Sequence, residues 1–296
     1  DETIATSAKR CASLYRGLAK YHTSAALADD LDVVRATLGY KHINLLGVSY
    51  GTRLALEYAR RHPKHLRSMV LDSVAPPTMI LSLSFAKDGQ RALDKMLKAC
   101  ANDEPCNQAF PNLRKGFEEL LASLADGKKV TIHHPRSDKP IEIVLRRDMF
   151  AQAVRALMYA PLLRSLLPLT IAEARRGNFD PFVAQIAMLT QSAQEGMSEG
   201  LFLSVACAED MPRLTEEAIV EQSRGSFLGD SIVRELGRAC EHWPSAPHPK
   251  GFGEPVRSAV PTLLLSGELD PVTPPSWAEE ARATLPQGRH VVVPGE

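Results

Sequence analysis

The pentapeptide Gly47-Val48-Ser49-Tyr50-Gly51 stands between two segments of different hydrophobic period. Before it, Ile43 to Val48 is almost wholly apolar and reads as a short buried strand. After it, Thr52 to Arg61 reads as a helix that places Leu54, Ala55, Tyr58 and Ala59 on one face. A strand, a Gly-x-Ser-x-Gly turn and a helix make a nucleophile elbow, which lifts the serine hydroxyl at the carboxyl edge of a sheet. The turn is so tight that a side chain at Gly47 or at Gly51 is expected to collide with the neighbouring strand or helix.

The flanking segments extend the pattern. Residues 24–38 form an amphipathic helix capped by Thr23 or Ser24, with Leu27, Leu31, Val34 and Leu38 on one stripe and Gly39 at its end. His62-Pro63 closes the elbow helix before a second strand, Arg67 to Asp72. Alternating helices and apolar strands imply a parallel sheet covered on both faces, an α/β fold. From residue 76 the chain reads as helices with one strand-like interval, Val130 to Leu145. Ala75-Pro76-Pro77 and the Pro- and Gly-rich run 247–253 bound this stretch. The expected division is a core of residues 1–75 and 256–296 and an inserted, mainly helical cap of residues 76–255. Sheet character resumes at Pro261 to Gly267, a turn over 268–275 leads into a helix from Trp277 to Leu285, and His290 to Val293 is a last strand.

With 296 residues, 44% of them hydrophobic, the chain can bury a large core. Its 35 basic residues balance 35 acidic ones, which argues against a nucleic acid or an anionic membrane as partner. No apolar run approaches the ~18 residues a membrane helix needs, and Asp1-Glu2-Thr3 does not read as a signal segment. Cys11, Cys100, Cys106, Cys207 and Cys240 contain no Cys-x-x-Cys pair, and no histidine stands at zinc-ligand spacing. Neither a metal nor a nucleotide nor any other cofactor is expected. Cys100 and Cys106 flank a short polar loop; they either close a small disulfide ring or are two ordinary buried thiols.

In a parallel α/β sheet, ligands meet the carboxyl ends of the strands. Ser49 and Asp270 both lie just past a strand end. A serine nucleophile needs a base, and the base needs a carboxylate to fix its tautomer; in hydrolases built on this elbow the chain order is serine, acid, histidine. Asp270 takes the middle place, against the alternative of a carboxylate capping the next helix, and Asp72 is the reserve acid. Of nine histidines only His290 follows Asp270. It sits at the amino end of the last strand, the wrong edge of the sheet, and reads as a surface residue rather than the base. The loop that should carry the base is therefore expected beyond Glu296.

The elbow wording from Ile43 to Tyr58, together with Leu71-Asp-Ser-Val-Ala-Pro-Pro77, Cys207-Ala-Glu-Asp210, Cys240-Glu-His-Trp-Pro244 and the run from Leu264 to Pro275, resembles one family. These segments are similar to the α/β-hydrolase serine peptidases of the proline iminopeptidase and tripeptidyl aminopeptidase (TAP-like) group, from about Tyr21 onward. The resemblance implies an exopeptidase acting on peptides with a free amino terminus and a helical cap narrowing its entrance. Carried across, Ser49 is the nucleophile, Asp270 the triad acid, the Tyr50 amide one oxyanion-hole donor, and Glu209 and Asp210 the acidic residues that hold a substrate's amino group. A solvated helix end is the plainer reading of those two carboxylates.

The same resemblance implies a chain truncated at both ends, lacking the first strands, a Gly-rich loop and the catalytic histidine. It implies disulfides Cys100–Cys106 and Cys207–Cys240, a partner for Cys11 upstream, and a periplasmic or secreted parent. Two alternatives stay open. One is a catalytically incomplete fragment that serves as a binding partner or needs a second chain to complete its sheet, whose open edge would invite pairing. The other is a small-ester hydrolase with the same triad.

Overall fold

In the computed structural model, residues 4–15, 17–193 and 198–296 are described; the terminal Asp1–Thr3 read above lies outside them. The chain begins with α1 (Ile4–Tyr15), α2 (Ser24–Thr37), β1 (Ile43–Val48), α3 (Tyr50–Arg61) and β2 (Leu66–Asp72). It continues with α4 (Leu81–Asn102), α5 (Glu104–Ala109), α6 (Leu113–Ser123), β3 (Lys128–His133), β4 (Pro140–Leu145), α7 (Arg147–Leu157) and α8 (Pro161–Ser165). Then follow α9 (Leu167–Arg175), α10 (Asp180–Ala193), α11 (Glu199–Glu209), α12 (Glu216–Ser223), α13 (Ser231–Cys240), β5 (Thr262–Gly267), α14 (Pro275–Arg282) and β6 (Gly288–Val293).

Two compact units emerge: Asp1–Asp88 with Ser198–Arg224 and Gly229–Glu296, and Gly89–Met197 with Gly225–Leu228. These boundaries differ from the expected cap of 76–255. The reason lies in α11 and α13, whose Leu203, Ala206, Cys207, Leu236 and Ala239 pack with Ala8 of α1 and with Trp243 in one buried cluster. Segments that read as cap in the sequence are thereby held in the unit that carries the sheet.

That sheet has the order β1-β2-β5-β6, all parallel. Its core joins Leu56, Tyr58 and Ala59 of α3, Met69 and Leu71 of β2, Leu264 of β5, and Ala278 and Ala281 of α14. Leu56, Tyr58, Met69, Leu71 and Leu264 are each no more than 1% exposed, so each contributes roughly 1.5–3 kcal/mol by burial. The period-2 alternation of β1 sends Ile43 and Leu45 to this core. Leu46 and Val48 point to the other face and are 72% and 56% exposed. The expectation of a strand buried on both faces is corrected at β1.

Thr23 caps α2 by accepting from the Ala26 amide at 3.2 Å, and Gly39 follows the helix at φ +76°. The stripe expected for this helix is only partly right. Leu31 packs on the core, but Val34 and Leu38 are exposed, and the buried residues of the helix are the small Ser24, Ala25 and Ala28, of which Ala28 lies in that core. Small side chains let α2 approach α3 closely.

The second unit contains an antiparallel hairpin, β3 with β4, paired from Lys128↔Leu145 to His133↔Pro140. Val130, Ile132 and Leu145 are its buried face. Phe117, Phe150, Phe182 and Phe227 form an aromatic group, with ring centroids 4.7 Å apart for Phe150–Phe182 and 5.7 Å for Phe117–Phe227. Cys100 and Cys106 are bonded, joining α4 to α5, and Asp103 caps α5 by accepting from the Cys106 amide.

Candidate active site

Ser49 follows β1 and precedes α3, with φ +52° and ψ −119°. An L-residue adopts such a backbone only at a cost of order 1–3 kcal/mol, and only where surrounding contacts hold it. Here the Ser49 amide donates to the Asp72 carbonyl at 2.9 Å, and Thr52 holds the other side. The Thr52 hydroxyl donates to the Ser49 carbonyl at 2.6 Å and accepts from the Ala75 amide at 2.8 Å. The strained serine is thus clamped to the ends of two strands, and its residue is exposed.

The two glycines are not equivalent. A methyl group at Gly47 would lie 2.8 Å from the Thr52 nitrogen and closer still to the Gly51 backbone, so only glycine lets α3 turn back over β1. At Gly51 nothing lies within 4 Å of that position, which corrects the expectation of a collision there.

Tyr50 opens α3, so its amide is one of the first-turn donors that lack an acceptor within the helix. That is the property an oxyanion-hole donor requires. The Tyr50 hydroxyl meets Ser24 Oγ at 2.9 Å, and burial pushes its pKa up to about 12.

Asp270 lies three residues beyond β5, whose register against β2 runs from Met69↔Thr262 to Asp72↔Leu265. Its Oδ1 accepts from the Val272 and Thr273 amides at 2.8 and 2.9 Å, and its Oδ2 accepts from the Thr273 hydroxyl at 2.6 Å. It therefore shapes the turn ahead of α14, whose cap position is Pro274. Helix capping, the plainer alternative, is not its role. Asp72, the reserve acid, accepts from the Ser73 hydroxyl at 3.2 Å.

His290 is not the surface residue expected from its place in the chain. Its side chain is 3% exposed; Nδ1 meets Glu279 Oε1 at 2.6 Å and Nε2 meets Ser266 Oγ at 3.1 Å. Packing of α14 over β5 and β6 covers it. Both ring nitrogens are committed to these partners, in keeping with its exclusion as the base for Ser49.

Glu209 and Asp210, at the end of α11, are fully buried, not a solvated helix end. Glu209 accepts from the Ser24 amide at 2.5 Å and the Ser24 hydroxyl at 2.9 Å. Burial is the main reason its pKa rises to about 7, with the Ser24 bonds and the Arg53 charge opposing. Asp210 accepts from Arg53 Nη1 at 3.0 and 3.1 Å and from Arg213 Nη2 at 3.3 Å. Arg53 is itself fully buried, donates to the Met79 carbonyl at 2.6 Å, and stacks 5.6 Å from the Phe252 ring centroid. The carboxylates are thus bound into a network beneath the elbow helix. Sequence reading missed Ser24, Arg53 and Arg213. The available signal was Arg53 itself, a cation among the apolar residues of the elbow helix, which demands a buried anion.

Cys207 and Cys240 are bonded, linking α11 to α13, and Cys11 is a free, half-buried thiol. Among the described residues no helix is long and apolar enough to cross a membrane.

Comparison with known proteins is consistent with this geometry. The model of the alpha/beta hydrolase fold matches residues 5–119, and that of TAP-like proteins matches residues 226–296. Serine protease Hip1 of Mycobacterium tuberculosis is 27% identical over 267 residues, covering 84% of this chain and 50% of the relative. Tripeptidyl aminopeptidase of Streptomyces lividans is 54% identical over 56 residues, covering 19% of this chain and 10% of the relative. Putative hydrolase YuaR of Escherichia coli is 26% identical over 237 residues, covering 73% and 44%. The chain spans about half the length of the Hip1 relative.

Proposed function

Because the chain belongs to the α/β-hydrolase serine peptidases of the TAP-like group, we propose that it carries the nucleophile and acid of an aminopeptidase. Ser49 attacks the carbonyl of a residue near a peptide's free amino terminus, forming an acyl-enzyme that water then hydrolyses. Asp270 orients the catalytic histidine, and the Tyr50 amide stabilises the oxyanion. The observation that carries this reading is the exposed, positive-φ Ser49 at the head of α3.

Glu209 and Asp210 are the proposed anchor for the substrate's amino group. Because both Glu209 oxygens already accept from Ser24, the anchor requires Ser24 to give way. Disulfides Cys100–Cys106 and Cys207–Cys240 support a periplasmic or secreted setting for the protein.

The test pairs fluorophosphonate labelling with peptide amides bearing free or acetylated amino termini. Labelling at Ser49 and cleavage of the free form alone support the proposal; equal cleavage of both forms favours the small-ester hydrolase. A second reading rests on His290, which is held by Glu279 and Ser266. In it the polypeptide by itself is catalytically incomplete and serves as a binding partner or needs a second chain to complete its sheet. Labelling of the isolated polypeptide argues against that second reading, and absence of labelling in a folded sample supports it.

A further inference from the structure

Away from Ser49, four side chains converge where α2 meets the end of α3. Asp29 and Asp32 lie one turn apart on α2; His62 closes α3, and His65 stands in the short 3₁₀ turn that follows, Pro63–His65. The two imidazoles are stacked, with centroids 6.2 Å apart and planes 11° from parallel. Both direct Nδ1 at one carboxylate: His65 Nδ1 lies 2.8 Å from Asp32 Oδ1, and His62 Nδ1 lies 3.6 Å from Asp32 Oδ2. The far nitrogen of His62, Nε2, meets Asp29 Oδ1 at 2.8 Å.

The 3.6 Å gap is informative. It is too long for a hydrogen bond. Two ligands at about 2.1 Å from one tetrahedral ion stand roughly 3.4 Å apart. In the tautomer that donates from Nε2 to Asp29, the His62 Nδ1 lone pair faces Asp32, whereas His65 must exchange its 2.8 Å Nδ1···Oδ1 contact with Asp32 for the ion. A histidine held by a carboxylate on one nitrogen and offering the other is the usual outer-shell arrangement of a metal ligand. One ligand atom each from Asp32, His62 and His65 lie within 4.8 Å of one another.

We propose that Asp32, His62 and His65 bind a divalent transition-metal ion, of which zinc is the probe, with Asp29 orienting His62 and water completing the coordination. Two imidazoles and a carboxylate suit zinc and its neighbours rather than magnesium or calcium. Three other groups face the same carboxylate pair and set the strength of binding. Arg35 bonds Asp32 through Nε at 2.7 Å and Nη2 at 3.2 Å, Tyr58 donates to Asp32 Oδ1 at 2.7 Å, and Arg61 donates to Asp29. Zinc must share Asp32 with Arg35, so the site is weaker than a closed structural zinc centre. Its role is to cross-link α2 to the end of the elbow helix. It is distinct from the residues proposed to attack substrate.

Titration calorimetry with zinc, and visible absorption with cobalt(II) as a spectroscopic substitute, test this directly on the folded chain. The expected result is one ion bound per chain, a cobalt spectrum of low-symmetry nitrogen and oxygen ligation, and a rise in melting temperature with zinc. His62→Ala and His65→Ala should each weaken binding roughly tenfold or more, and Asp29→Asn by roughly tenfold through loss of orientation. Metal-free melting curves show whether each variant folds, and the more exposed His65→Gln serves if His62→Ala does not. No heat of zinc binding up to millimolar concentration overturns the proposal. So does unchanged binding by the His62→Ala/His65→Ala double variant, which would place the ion on other histidines or on Cys11.

Discussion

Two serines in this molecule have opposite endowments. Ser266, on β5, is 1% exposed and belongs to a complete hydroxyl–imidazole–carboxylate chain through His290 to Glu279. Ser49 is exposed, strained at φ +52°, and stands at a helix start. Connectivity alone would choose Ser266. Yet a nucleophile must meet substrate, and its oxyanion must meet donors; Ser266 lies under α14 with neither. Exposure and a positive-φ turn are the better marks of a reacting serine, while a Ser-His-Glu chain that runs from a buried hydroxyl to a half-exposed carboxylate satisfies a buried imidazole.

The sharpest way to break this comparison is to exchange each serine for alanine. Ser49→Ala should abolish fluorophosphonate labelling and lower any peptidase turnover by several powers of ten. Ser266→Ala should leave labelling intact and cost about 1 kcal/mol in urea unfolding, the usual net worth of one hydrogen bond. Loss of labelling in a folded Ser266→Ala variant would reverse the assignment.

Next in size is the glycine pair. Gly47→Ala drives a methyl group into the backbone at Gly51 and Thr52, so a loss above about 4 kcal/mol or failure to fold is expected. Gly51→Ala sits in a helix with open space and should change stability by less than about 1 kcal/mol, in the stabilising direction. Equal losses at both positions would mean that the elbow is not built as described.

Arg53, in the elbow helix, is the buried partner of Asp210. Arg53→Ala leaves Asp210 buried without its main partner and should cost about 3–5 kcal/mol in chemical unfolding. Glu209 gives a smaller effect that depends on pH. Its folded pKa of about 7 lies above the ordinary glutamate value of 4.5, so the folded state binds more protons than the unfolded state between those values. Stability from this group is present below pH 4.5 and is lost as pH rises toward 7, on the order of 1–3 kcal/mol in all. Melting at pH 5 and pH 8 should show Glu209→Gln losing less stability than the parent across that interval. An identical pH response would remove Glu209 from the account.

How much of this was visible in the chain differs between the two serines. The elbow was legible because local rules govern it: the apolar run Ile43–Val48, the two glycines and the helical face of α3 each follow from neighbours in sequence. Strand ends placed Asp270 past β5 by the same logic. The His290 environment was not legible. Its exposure depends on α14 folding over β5 and β6, and Glu279 and Ser266 carry no motif that announces them. Burial of Glu209 and Asp210 was likewise hidden, since Ser24 lies 185 positions away from Glu209 and Arg53 lies 157 from Asp210. The grouping into compact units was hidden for a related reason. Composition marks where helices begin, but not that α11 and α13 pack on α1.

The register that sets β2 beside β5 carries a consequence in time. Met69 must find Thr262 across about 190 residues, a separation that makes sheet closure slow relative to local helix formation. At ordinary synthesis rates of about 5–20 residues per second, roughly ten to forty seconds pass between the appearance of the two strands. Ser49 is therefore synthesised long before the turn that holds Asp270 can join it. A nascent chain spends that interval with Ser49 already in place and Asp270 still to be made.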